Sequence, residues 1–177
     1  MGLEEFTEIE IRSNVAGMEV VIKKVHFVKL LGLEDWGKII SAYKDNVHYR
    51  KAITKEMVVD TSLLGKAKGL NNTSKVLFKI LLSSIFPRTG GTDTISWEHM
   101  HFLYFLQKNK KINLAECLFE HLCGAISDGF VKRFTTVAHP RLLSELFYQC
   151  RLVQVLKKVY PALTKEKRAK ILDASFL

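Results

Sequence analysis

Apolar segments with helical periodicity fill the second half of the chain, and they constrain the fold more than any other feature. Asn72 or Thr73 is expected to cap the first of these helices, which continues to about Phe86 before Pro87 ends it. Most of its positions are apolar, with a thin polar stripe at four-residue spacing formed by Lys75, Lys79 and Ser83. So narrow a polar stripe predicts a helix that is mostly buried.

Three further helices are predicted from their start signals. Ser96 is expected to cap a helix over residues 97–108, and Asn113 to cap the next, with Glu116 reaching back to complete a capping box. Pro140 suits the first turn of a third helix. The helix after Asn113 carries a core-facing stripe formed by Leu114, Cys117, Leu118, His121, Leu122 and Ala125.

The first half of the chain is less regular. Residues 9–13 and 19–22 have strand character on either side of a turn that can use Gly17, and a short helix is predicted over residues 24–31. Residues 36–70 are expected to form short helices and loops. The predicted class is mainly α: one multi-helix domain of six or seven helices with a minor N-terminal β-strand or hairpin.

Composition is that of an ordinary globular domain: 177 residues, 47% hydrophobic and 10% aromatic. These values exclude intrinsic disorder. The longest apolar runs are interrupted by charged residues, so no membrane-spanning segment and no membrane partner are predicted. Three cysteines and an acidic, non-hydrophobic start indicate an intracellular protein of the cytoplasm or nucleus.

Positive charge is concentrated near the C-terminus. The chain has 27 Lys and Arg against 18 Asp and Glu, a net charge of +9. Residues 151–170 contain only Glu166 as an acid against seven basic residues, namely Arg151, Lys157, Lys158, Lys165, Lys167, Arg168 and Lys170. We therefore divide the chain into a helical domain over residues 1–150 and a basic helical extension of it over residues 151–177. This extension is a candidate site for RNA or DNA, and a solvated helix face is the alternative.

No catalytic, cofactor or metal site is predicted, and no small-molecule substrate is evident. Cys117, His121 and Cys123 lie close in sequence, but the paired ligand clusters of zinc sites are absent, and buried core residues are the favoured interpretation. Phosphate-binding and nucleophile-elbow motifs are also absent. We expect a protein that is not an enzyme.

Two other features are candidates for contact with a partner. Phe102, Tyr104 and Phe105 could stack on nucleic-acid bases, but their almost entirely apolar helix favours core packing. Arg88 lies in the PRTGG loop and is a candidate contact to another protein.

Two sequence blocks resemble a known family. Residues 11–37, which contain LGLEDWG, and residues 76–122, which contain PRTG and KKINL, resemble the plant transposon protein domain, found in gag-like regions of plant LTR retrotransposons. The similarity spans roughly residues 9–155, and Asn109 stands where the family often has Gly. The plant mobile domain is a weaker relative that shares the first block but lacks PRTG and KKINL.

The resemblance implies a mostly helical protein of a transposable element, without a transposase reaction or catalytic residues. The chain lacks the CxxCxxxxHxxxxC zinc knuckle that gag proteins use on RNA. Two functions are compatible with this. The first is a structural, self-associating gag-like protein that binds nucleic acid weakly through its basic C-terminal residues. The second is a host-retained helical adaptor for another protein, without a nucleic-acid role.

Overall fold

Helices dominate the part of the chain that the structure describes. A computed structural model describes residues 9–15, 17–86, 91–131 and 139–161. Within these ranges there are seven α-helices, three short 3-10 helices and one β-hairpin, which confirms the predicted mainly α class with a minor N-terminal β element. The α-helices are α1 (Lys24–Leu31), α2 (Val47–Met57), α3 (Asn72–Ser84), α4 (Trp97–Gln107), α5 (Leu114–Val131), α6 (Pro140–Gln149) and α7 (Leu152–Val159). The 3-10 helices are Ile40–Tyr43, Thr61–Leu63 and Ala67–Gly69.

The hairpin begins the described chain and leads directly into the first helix. Strands β1 (Glu10–Val15) and β2 (Met18–Lys23) pair antiparallel, from Glu10 opposite Lys23 to Val15 opposite Met18. Gly17 supplies the turn with φ +81, a conformation that glycine adopts without a steric penalty. The turn and both strands therefore lie where the alternating sequence places them.

Two hydrophobic clusters form the core. The larger one lies mainly among α2, α3 and α4, and Ile53, Phe78, Leu103 and Phe105 are at most 1% exposed. The smaller one joins the hairpin and α1 to α5 and α6 through residues that include Ile22, Phe27, Phe119, Leu122 and Leu146. Helix α5 contributes to both, since Cys117 belongs to the larger cluster.

Helix α3 differs from the prediction in its cap and in its burial. The cap is Asn71, whose side-chain oxygen accepts a hydrogen bond from the Ser74 N–H at 2.8 Å. The helix buries one face, through Ser74, Phe78 and Leu81, while Val76 and Ile80 on the opposite face are 58% and 54% exposed. The prediction of a mostly buried helix was wrong because α3 packs on one side only.

The starts of α4 and α5 follow the predicted caps, with one exception. The Ser96 hydroxyl accepts a hydrogen bond from the His99 N–H, and the Asn113 side chain accepts one from the Glu116 N–H at 3.0 Å. The Glu116 carboxylate, however, accepts from Lys24 Nζ at 2.8 Å. The Asn113 N–H instead donates to the Lys38 carbonyl, so the predicted reciprocal half of the capping box is wrong.

Candidate functional site

The predicted nucleic-acid residues lie only partly in the described chain. Lys165, Lys167, Arg168 and Lys170 fall outside the described residues, and so does Arg88. The three remaining basic residues, Arg151, Lys157 and Lys158, are exposed. Arg151 precedes α7 with φ 56, and the two lysines occupy the last turn of that helix. Lysines at a helix C-terminus also interact favourably with the helix dipole, which gives their charge a structural role without any ligand.

Helix α7 combines this charge with an apolar face that the described residues cover incompletely. Leu152 and Leu156 are partly buried along the centre of this face. On the same face Val153, Val155 and Val159 are 45%, 43% and 53% exposed. We call these five residues the α7 apolar surface. Lys157 and Lys158 lie outside it, because their positions in the 3.6-residue repeat place them on the other side of the helix.

The surroundings fix where this surface lies. Helix α7 packs against α6, whose Tyr148 is 70% exposed. A Cβ added at Gly17 would lie 3.4 Å from the Tyr160 hydroxyl, so the end of α7 is next to the hairpin turn. Contiguous exposed apolar side chains of this kind are typical of association surfaces.

A pair of histidines is the feature that sequence reasoning missed. His121 Nδ1 of α5 lies 2.8 Å from Nε2 of His139, the residue before α6. His139 is 6% exposed and has φ 51, and the ring of Phe86 packs on His121 with centroids 5.2 Å apart. The two residues are 18 positions apart, and the only sequence signal was that His121 belongs to the core-facing stripe of α5.

Burial sets the protonation of this pair. Burial lowers the pKa of His139 to about 4, and the neighbouring His121 makes a smaller contribution in the same direction. Burial also lowers the pKa of His121, against a smaller opposing effect of Glu98. Both imidazoles are therefore neutral at pH 7, and one ring N–H donates to the other ring nitrogen. Among the described residues no group of three or more His, Cys, Asp or Glu side chains could hold a metal ion.

The other candidate cysteines and histidines serve the core and a helix cap. Cys117 is buried, and burial raises the pKa of its thiol to about 12, so this thiol is not a nucleophile at neutral pH.

His101 is fully buried and its Nδ1 lies 2.7 Å from the Trp97 carbonyl, whereas His99 contacts the capping Ser96. Phe102 and Phe105 are also buried, which agrees with core packing.

A polar network joins Lys24 and the segment after α1 to the start of α5. Lys24 Nζ lies 2.8 Å from Glu116 and 3.2 Å from Asp35, and Asn113 Nδ2 donates to Asp35 at 2.9 Å. The Asn113 hydrogen bond lowers the pKa of Asp35, with a smaller contribution from Lys24. Asp35 comes from LEDWG and Asn113 from KKINL, so these motifs meet at the start of α5.

Gly37 brings the same two segments into backbone contact. The Lys38 N–H donates to the Lys111 carbonyl at 2.8 Å. A Cβ at Gly37 would lie 2.8–2.9 Å from backbone atoms of residues 111–113, and φ is +123. Only glycine fits this approach. Asn109 likewise has a positive φ, of 50.

Comparisons with protein-family models, with curated proteins and with solved structures found no match to this chain. None of the helices in the described part of the chain combines the length and the apolar character of a membrane-spanning segment.

Proposed function

We propose that this chain is a non-catalytic structural protein of gag-like type, which self-associates through helical surfaces and binds nucleic acid weakly through its basic C-terminal residues. The observation that carries the proposal is the α7 apolar surface, because it leaves three valines exposed on one helix beside exposed cations. The resemblance of residues 11–37 and 76–122 to the plant transposon protein domain supports it. The positive φ of Asn109 is compatible with that resemblance.

Self-association suits the arrangement of α7. In a two-fold symmetric contact the same surface of both copies meets, so an apolar helix face can be covered by its own equivalent. Lys157 and Lys158 lie outside the α7 apolar surface and would not be brought together at the centre of such a contact. The charged side of the helix then stays available to a second ligand.

Nucleic-acid contact suits the basic residues around α7. Arg151, Lys157 and Lys158 are exposed, and each can neutralise a phosphate. Because such binding releases counterions, the affinity is expected to fall steeply as the salt concentration rises. Contacts of this kind carry little sequence preference, since phosphates are common to all sequences.

Light scattering on matched variants tests the association surface. Val155→Asp with Val159→Asp places two charges on the α7 apolar surface and is expected to lower the average molar mass to that of a monomer. Val47→Asp is the control, because Val47 is 64% exposed at the first position of α2, where an acidic residue is favourable. Equal masses for both variants would contradict the proposed role of α7.

A helical adaptor that binds another protein is the second candidate function. Val76 and Ile80 favour it, since they form a separate exposed apolar pair one turn apart on α3. On this account the protein is monomeric, and charge reversal at Lys157 and Lys158 leaves partner binding intact. Loss of partner binding in that charge-reversed variant would contradict a partner contact at Val76 and Ile80.

A further inference from the structure

Trp36 is a large aromatic residue held at the surface by a rigid backbone. It is 58% exposed, and it lies between Asp35, which accepts the Asn113 hydrogen bond, and Gly37, which has no room for a Cβ. Lys38 is hydrogen-bonded through its N–H and its carbonyl to the segment 111–113. The backbone on both sides of Trp36 is therefore held against residues 111–113.

A lysine lies over one face of this indole. Lys111 Nζ lies 3.5 Å from the centroid of the Trp36 ring and also pairs with the Glu34 carboxylate. Lys111 covers one face of the ring, and the residue is still more than half exposed. Lys110, the residue before Lys111, is exposed, whereas Lys108 pairs with Glu56.

We propose that Trp36, Lys110 and Lys111, here called the Trp36 surface, bind single-stranded nucleic acid. A base stacks on the indole, and the two lysines neutralise the adjoining phosphates. Base stacking on an exposed aromatic beside cations is the usual mode for single strands, whereas the bases of a duplex already stack on one another.

This contact goes beyond the proposed function, because phosphate neutralisation at Arg151, Lys157 and Lys158 involves no base. An acidic peptide is the competing ligand. Such a peptide would contact the lysines without requiring the indole. The Glu34 carboxylate would repel the peptide, as it would repel any anion. The exposed indole therefore favours a ligand with an aromatic face.

Tryptophan fluorescence reports on this surface directly. The chain has two tryptophans, so in a Trp97→Phe variant all the tryptophan emission comes from Trp36. Titration with short oligothymidine is expected to quench the emission to saturation. An abasic oligonucleotide of equal length is expected to bind at least about five-fold more weakly and to leave the emission unchanged. In the wild-type chain labelled with fluorotryptophan, the Trp36 resonance in ¹⁹F NMR is expected to shift in the same titration, which makes the result independent of the Trp97 substitution.

Variants identify the residues involved. Trp36→Ala and Lys110→Glu are each expected to weaken oligothymidine binding about five-fold or more in fluorescence anisotropy. Lys51→Glu is the charge-matched control, because Lys51 is an exposed lysine of α2, and it is expected to bind like wild type within about two-fold.

Three results would overturn the inference: Trp36 signals that do not respond to oligothymidine, equal binding of the abasic strand, or equal quenching by a polyglutamate peptide. Failure here is distinguishable from failure of the proposed function. Charge reversal at Lys157 and Lys158 tests the C-terminal contact alone, and light scattering tests self-association without any nucleic acid.

Discussion

Acidification between pH 7 and pH 5 is expected to destabilise the fold through the pair His121 and His139. The pKa of His139 is about 4 in the folded protein against an ordinary value of 6.5, so the unfolded chain binds the proton more tightly. The stability that comes from the neutral imidazole is therefore complete above about pH 7 and is lost as the pH falls from 6.5 towards 4.

The magnitude follows from these two pKa values. Linkage gives a loss of about 2 kcal/mol in the free energy of unfolding between pH 7 and pH 5 from His139 alone. His121 acts in the same direction, since burial lowers its pKa too. For a chain of this size the loss corresponds to a decrease of about 4–8 °C in the melting temperature. Asp35 does not contribute in this range, because a lowered carboxyl pKa matters only near and below its ordinary value of 3.8.

Thermal unfolding followed by circular dichroism at pH 7, 6 and 5 measures the effect. His139→Asn removes one titrating group, and asparagine tolerates the positive φ at this position. The variant is expected to be less stable at pH 7 by about 1–3 kcal/mol, because His121 loses its partner, and less sensitive to pH between 7 and 5. His48→Gln changes an exposed histidine outside the pair and is expected to keep the wild-type pH dependence. A His139→Asn variant with the full wild-type pH dependence would refute the reasoning.

Three substitutions test the remaining packing, each by urea unfolding. Gly37→Ala is expected to cost more than about 3 kcal/mol, because a positive φ of +123 and contacts of 2.8–2.9 Å with backbone atoms act together. Gly124→Ala, inside α5 with nothing within 4 Å of the new Cβ, is expected to stabilise by about 0.5–1 kcal/mol, and the reverse order would contradict this account. Phe27→Ala, at a side chain with 0% exposure, is expected to cost about 3–5 kcal/mol, and a loss below about 1 kcal/mol would show that the smaller cluster is not a packed core.

Local signals in the sequence predicted most of the helices and their caps. Ser96 and Asn113 cap α4 and α5 because a short side-chain oxygen reaches the N–H three residues on, which depends only on neighbouring residues. The hairpin around Gly17 and the start of α6 at Pro140 also depend only on residues close to them in the sequence. These are interactions within one turn or one strand pair.

Contacts between distant residues were not predictable in this way. Glu116 binds Lys24, 92 positions away, rather than its own helix start, and His121 meets His139 only because α5 and the start of α6 are adjacent in space. The exposure of Val76 and Ile80 likewise depends on which face of α3 is covered by the rest of the chain. Apolar periodicity indicates which residues can be buried, and tertiary packing decides which of them are.

Self-association through the α7 apolar surface is the central claim, and sedimentation velocity of the wild-type chain over a concentration series tests it most directly. The sedimentation coefficient is expected to increase with concentration as monomers form dimers or larger species. The Val155→Asp and Val159→Asp double variant is expected to stay at the monomer value throughout. A wild-type chain that sediments as a monomer at every concentration would contradict the claim.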